Sequence, residues 1–308
     1  MKKIALLVLS LLCAVTAGAQ DSYLFAQRDS VSLYVDIYDV TPGSETTFQG
    51  HQKPLIVFMI GGGFVRIETG DYVLDWFQTL NDNGYAVACV AYRQGMAGYK
   101  VGKGLSGMMK ASDQFYLSQQ MAVEDLFAAV SFLVENKDEL GIDPQNMVAA
   151  GSSAGAITVL AAENAICNGE AKGLPEGFNF KGVMSFAGGI ISQSGAPKYR
   201  QTPCATLLLH GTADGAVAYN KFGAFGRGIW GSKVLAKKLE KASASYCIYR
   251  YANRTHDVAA YMQAAWPVEK EFLEKNVVLG AYRVVDATID DQSLPSWGNI
   301  TTGDIYQR

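Results

Sequence analysis

Gly151-Ser152-Ser153-Ala154-Gly155 places a serine between two glycines at the G-x-S-x-G spacing of a nucleophile elbow. A serine attacks a carbonyl only when its hydroxyl stands clear of the backbone, beside a base and beside donors for the oxyanion. The apolar run 147–150 comes before the pentapeptide and an alanine-rich stretch comes after it, so the spacing predicts a strand, a sharp turn and a helix. Backbones approach closely in such a turn, which Gly151, Ala154 and Gly155 allow. The helix N-terminus then sets the positive end of its dipole beneath Ser153. Ser152 is a neighbouring hydroxyl, but the glycine spacing selects Ser153. A capped helix with an incidental serine does not account for that context.

The oxyanion donors are expected from Gly61-Gly62-Gly63-Phe64, directly after the apolar run 55–60. Successive glycines let backbone N–H groups face a cleft with no side chain in the way. The N–H of Gly62 or Gly63 is assigned this role together with that of Ala154. The base must be one of three histidines. His51 lies in a polar loop, and His210 is expected to pack at a strand end and bond to backbone. His256, in Asn253-Arg254-Thr255-His256-Asp257, follows an apolar strand at the carboxyl end, where sites of parallel sheets form. Its orienting carboxylate is expected after the preceding strand, at Asp214. Asp257 is the alternative acid, but a residue adjacent to the histidine points away from it.

The residues to be positioned imply a scaffold. Strands are predicted over 23–27, 32–38, 55–60, 85–92, 147–150, 183–186, 205–209 and 245–251, several of them continuously apolar as in strands covered on both faces. Helices are predicted over 116–140, 154–166, 233–241 and 258–274. This alternation implies a mostly parallel sheet with helices on both faces and an antiparallel first edge. No boundary divides the chain, so residues 20–308 are read as one domain.

The glycine run 61–64, the elbow 151–155, Leu209-His210-Gly211-Thr212-Ala213-Asp214 and the late His256 together resemble the α/β-hydrolase esterases. Within them the chain is similar to carboxylesterase, feruloyl-esterase-like and hormone-sensitive-lipase-like enzymes, over about residues 32–274. The resemblance implies a twisted, mostly parallel sheet of about eight strands without a large cap domain. It also implies a Ser153–His256–Asp214 triad in the order Ser, Asp, His. One departure is that Ile60 stands where those enzymes often carry a histidine before the glycines, which weakens the likeness to the hormone-sensitive-lipase branch.

The remaining signals set the context. Lys2 and Lys3, an apolar run over 4–15 and Ala17-x-Ala19 read as a signal peptide over 1–19, so a secreted or periplasmic protein is expected. Loss of Lys2 and Lys3 takes the formal net charge from −3 to −5, with 24 basic against 29 acidic residues. That balance gives no reason to expect nucleic acid as a partner, and no membrane span is expected after cleavage. Cys89, Cys167, Cys204 and Cys247 fit no zinc spacing; neither metal nor cofactor is expected. Cys89 reads as a buried small hydrophobe, and the other three fall on the face opposite the site. Gly102-Lys103-Gly104-Leu105-Ser106-Gly107 matches G-x-G-x-x-G literally but lacks the strand and acidic residue of a dinucleotide site, so it reads as a rim loop.

Loops over 94–115 and 215–231 carry aromatics and methionines. Phe64, Tyr219, Phe222 and Trp230 are expected to line a substrate pocket. The chemistry expected is hydrolysis of short-acyl or aryl esters, including acetyl or feruloyl groups on carbohydrate. A serine peptidase of the same fold and a non-catalytic binding module are the alternatives.

Overall fold

The computed structural model describes residues 20–28, 30–44, 53–67, 70–296, 298 and 300–306. The expected signal peptide and His51 lie outside those residues. Nine strands form one sheet: β1 (Gln20–Arg28), β2 (Val31–Tyr38), β3 (Lys53–Met59), β4 (Ala86–Val90), β5 (Ile142–Ser152), β6 (Gly182–Phe186), β8 (Ala205–Gly211), β11 (Tyr246–Tyr251) and β12 (Val284–Ile289). Their order is β1-β2-β4-β3-β5-β6-β8-β11-β12, and only β2 runs against its neighbours. The expected count of about eight becomes nine because β12 pairs in parallel with β11 at the far edge.

Alternation along β3 shows why the sheet is covered twice. Leu55, Val57 and Met59 point into one core, with α2 (Gly104–Glu135) and α4 (Ala154–Asn168) packed above them. Ile56, Phe58 and Ile60 point into the other, against α1 (Asp71–Asp82) and α6 (Trp266–Phe272). On α1, Val73, Trp76, Phe77 and Leu80 fall at helical spacing and are fully buried. Each such side chain contributes roughly 1.5–3 kcal/mol of transfer free energy. Removing the Trp76 ring would open the largest hole, because it packs on Phe58, Phe77 and Phe186.

Several elements depart from the sequence-based expectation. The helix expected over 116–140 begins at Gly104 and ends at Glu135, with one further turn, α3 (Lys137–Leu140). Its 32 residues make it about 48 Å long, whereas β3 and β4 have seven and five residues. Its first turns therefore stand beyond the carboxyl edge of the sheet, and the 102–107 glycine motif is the start of this helix rather than a rim loop. The helix expected over 258–274 splits into a 3₁₀ turn, His256–Ala260, and α6, which runs on to Val278 in wider turns. Pro267 sits in the first turn of α6, where a fixed φ and a missing N–H start a helix rather than continue one.

A second small sheet lies at the same carboxyl edge, formed by β7 (Gly189–Ser192), β10 (Arg227–Gly231) and β9 (Lys221–Ala224). Its β9 and β10 take up residues 221–224 and 227–231 of the loop expected over 215–231. Only this short sheet and connecting turns occupy the region after β6, so no large cap domain is inserted there. Among the described residues no helix is long and apolar enough to cross a membrane. At the opposite edge, Cys167 and Cys204 meet at one buried carboxyl: the Cys167 thiol and the Cys204 N–H both donate to Glu163 Oε1, at 3.3 and 2.8 Å.

Candidate active site

β5 ends at Ser152, and the chain reverses at Ser153 with φ 50° and ψ −115°, a left-handed conformation uncommon outside glycine. The turn survives because both sides are small. A Cβ on Gly155 would lie 1.9 Å from the Met59 carbonyl oxygen, so α4 can approach β3 only through a glycine. The Ser153 N–H donates to the Phe186 carbonyl at 2.8 Å, which fixes the elbow against β6. Ala154 opens α4, and its amide has no acceptor within the helix.

The glycine loop follows β3, the next strand over. Gly62 and Gly63 have φ 139° and 64°, and a Cβ on Gly62 would lie 1.8 Å from the Arg66 carbonyl oxygen, so the turn demands glycine. The Gly61 N–H is already spent, donating to Ser152 Oγ at 2.9 Å. Ser152 therefore clamps the glycine loop to the elbow, while among the described residues the amides of Gly62, Gly63 and Ala154 donate no such bond.

Asp214 and His256 arrive from the carboxyl ends of β8 and β11, which are neighbours in the sheet. His256 Nδ1 lies 2.7 Å from Asp214 Oδ2 and Nε2 lies 2.8 Å from Ser153 Oγ. Nδ1 faces a carboxylate and so carries the proton, which leaves Nε2 to accept the Ser153 O–H. Ser153 and His256 are both buried. Asp214 Oδ1 accepts the N–H groups of Ala216 and Val217, each at 2.8 Å. Burial pushes the Asp214 carboxyl up, but hydrogen bonds from His210 and His256 hold it well below the ordinary carboxylate range. The acid is thus fixed as an anion.

The sequence reading missed half of what His210 does. It does bond to backbone at a strand end, through Nε2 to the Val217 carbonyl at 3.0 Å. The same nitrogen also faces Asp214 Oδ2 at 3.3 Å, while Nδ1 lies 2.8 Å from Ser232 Oγ. Two acceptors at Nε2 place the proton there, so Nδ1 accepts the Ser232 O–H. His210 is fully buried with both nitrogens engaged away from Ser153, which leaves His256 to face the serine. Asp257 accepts a hydrogen bond from Ser296 at 3.1 Å rather than one from His256.

Two of the four expected pocket residues are corrected. Phe64 is 1% exposed and stacks edge-on against Tyr92, so it packs the core beneath the loop. Tyr219 packs on the His210 ring, and its hydroxyl accepts the Arg250 Nε–H at 2.9 Å, so it braces His210 instead. Glycine-rich turns near both were read as opening a cleft, but the two rings pack against Tyr92 and His210. Phe222 stands 70% exposed on β9, and Trp230 lies half-buried on β10 opposite Ile190.

No family model matches the chain, and no curated protein matches it in sequence. Solved structures do. The thermophilic esterase Est2 of the Planctomycetes species Thermogutta terrifontis superposes with a TM-score of 0.58 at 18% identity, covering 84% of this chain and 92% of that one. The same esterase phosphoramylated by tabun gives 0.59 at 19% identity, over 84% and 95%. A puromycin-hydrolyzing peptidase of Mycobacterium tuberculosis gives 0.56 at 18% identity, over 89% of this chain but 42% of that one. The chain has the α/β-hydrolase fold.

Proposed function

We propose that this protein is an exported serine esterase acting on short-acyl or aryl esters through an acyl-enzyme. The observation that carries the reading is the unbroken relay from Asp214 through His256 to Ser153 beside the unspent amides of the glycine loop. Ser153 Oγ bonds to the ester carbonyl carbon as His256 Nε2 takes the hydroxyl proton. The carbonyl oxygen becomes an oxyanion held by the amides of Ala154 and of Gly62 or Gly63. Collapse breaks the bond to the alcohol, which leaves with the proton from His256. Water then attacks the acyl group, losing its proton to the same nitrogen, and Ser153 departs with that proton restored. Asp214 stays ionised throughout and holds the imidazole in the tautomer the sequence requires.

An ester is favoured over an amide because the neighbours matched along nearly their whole length are esterases, whereas the peptidase match spans less than half of that protein. Export rests on the N-terminal segment alone, with its two lysines, apolar run and Ala-x-Ala. An external location suits acyl groups on carbohydrate, such as acetyl or feruloyl. Phe222 and Trp230 on the small sheet are the aromatic surfaces proposed to meet them. Turnover of p-nitrophenyl acetate and labelling by a fluorophosphonate test the reading. Both should vanish in Ser153→Ala, and turnover that survives this change would sink it. Release of amine from an aminoacyl anilide faster than of alcohol from the matching ester would favour a peptidase.

A further inference from the structure

After β12 the chain turns back along the carboxyl edge of the sheet. It fastens first to the segment that carries His256. The Arg254 guanidinium donates to the Asp291 carbonyl at 2.8 Å, Ser296 donates to Asp257 at 3.1 Å, and Thr255 donates to the Gly298 carbonyl at 3.1 Å. A short helix, α7 (Thr302–Tyr306), then begins where Asp304 Oδ2 accepts both the N–H and the hydroxyl of Thr301, at 2.8 and 2.7 Å. At its end the Tyr306 hydroxyl donates to the Gly63 carbonyl at 2.7 Å, and its ring meets Phe115 of α2 edge-on at 4.9 Å. β11 and β3 are separated by four strand spacings in the sheet order, about 19 Å. One stretch of chain thus ties the base-bearing loop to the glycine loop, across the edge where the serine stands.

The glycine loop needs such a tie. Gly62, Gly63 and Phe64 are three consecutive residues at positive φ, and Phe64, at 59°, has no glycine freedom to make this cheap. Backbone in this region persists only when its surroundings over-determine it. Tyr92 donates to the Ile60 carbonyl at 2.7 Å before the loop, and the Met96 N–H donates to the Phe64 carbonyl at 2.9 Å after it. Between these anchors, the carbonyl adjoining the donor amides is held by Tyr306.

We propose that Tyr306 is a positioning residue for the oxyanion donors. This rests on the esterase reading above. The hydroxyl fixes the Gly63–Phe64 peptide plane, and with it the direction of the neighbouring amides. Those amides are needed most when the carbonyl oxygen gains charge, so the bond should matter to the transition state more than to substrate binding.

Tyr306→Phe is the test, since it keeps the ring and its packing on Phe115 and removes one O–H. Active sites are counted by fluorophosphonate titration, and p-nitrophenyl butyrate turnover is expressed per titrated site. kcat should fall about tenfold with KM within about twofold, the pattern of a lost transition-state interaction. Affinity for a boronic acid that mimics the tetrahedral intermediate should fall by the same factor as kcat/KM. A merely structural tyrosine would lower the melting temperature or the number of titratable sites and leave kcat per site unchanged. That result overturns the proposal while leaving the esterase reading intact. A wild-type protein that neither turns over esters nor takes the phosphonate overturns both.

Discussion

Two histidines lie within reach of Asp214, and replacing the one that does not face the serine separates support from chemistry. In His210→Phe the Val217 carbonyl loses its 3.0 Å partner, and the Ser232 hydroxyl is left with the Gly188 carbonyl at 3.5 Å. Each buried polar group left unpaired costs about 1–3 kcal/mol, so the variant should lose about 2–5 kcal/mol of stability. Asp214 fares better. It keeps the amides of Ala216 and Val217 at 2.8 Å and His256 at 2.7 Å, all closer than the 3.3 Å contact removed. The carboxylate therefore stays ionised and oriented, and kcat per titrated site should fall by less than about tenfold. Denaturant unfolding measures the first quantity, and ester turnover after phosphonate titration measures the second. A variant that melts like wild type but loses more than about 100-fold per site would refute the reasoning, because His210 would then be moving protons rather than bracing the acid.

Asp214→Asn should cost about 10³–10⁴ in kcat by presenting the wrong partner to the imidazole, with folding judged from the melting temperature. Because the carboxyl is held below its ordinary value, its stabilising contribution is present above that value and is lost as pH falls through the lower folded one. The stability gap between wild type and Asp214→Asn should accordingly persist down to about pH 4 and shrink only below it. Gly62→Ala must displace a Cβ that would sit 1.8 Å from the Arg66 carbonyl oxygen, and kcat should drop by roughly 10²–10³ if this turn carries a donor. Glu269 is fully buried with a single bond, from Trp76 at 2.7 Å, and burial pushes its carboxyl well up. Its contribution to stability is present at low pH and is lost as pH rises from its unfolded value, by up to about 1.4 kcal/mol per unit. Glu269→Gln keeps the acceptor without the charge, so its advantage in melting temperature over wild type should widen from pH 5 to pH 8.

The parts of the fold that could be read from sequence are those where one force decides. The 147–150 run and the small residues after it allow little except strand, turn and helix, and β5, Ser153 and α4 follow that plan. Elements with mixed signals were lost. In β12, partly buried residues alternate with exposed ones along an edge, so no continuous apolar run marks it. β7, β9 and β10 have four or five residues each and are rich in glycine. The first turns of α2 were hidden by Gly102, Gly104 and Gly107, and by Leu105, Met108 and Met109, which stand exposed instead of marking a buried face. The G-x-S-x-G spacing in its context led to Ser153, the poor placement of two other histidines to His256, and chain order with the family resemblance to Asp214. The supports were not legible. Ser152, Ser232 and Tyr306 act through hydrogen bonds to residues 22 to 243 positions away, and no periodicity encodes such a pairing.

The backbone of Ser153 has a further consequence. Its left-handed φ of 50° costs on the order of 1–3 kcal/mol for a residue with a Cβ. A glycine there would relieve that strain and also delete the proposed nucleophile. Thermal stability and reactivity thus compete at one residue, and selection for thermostability without a demand for activity should drift toward Ser153→Gly.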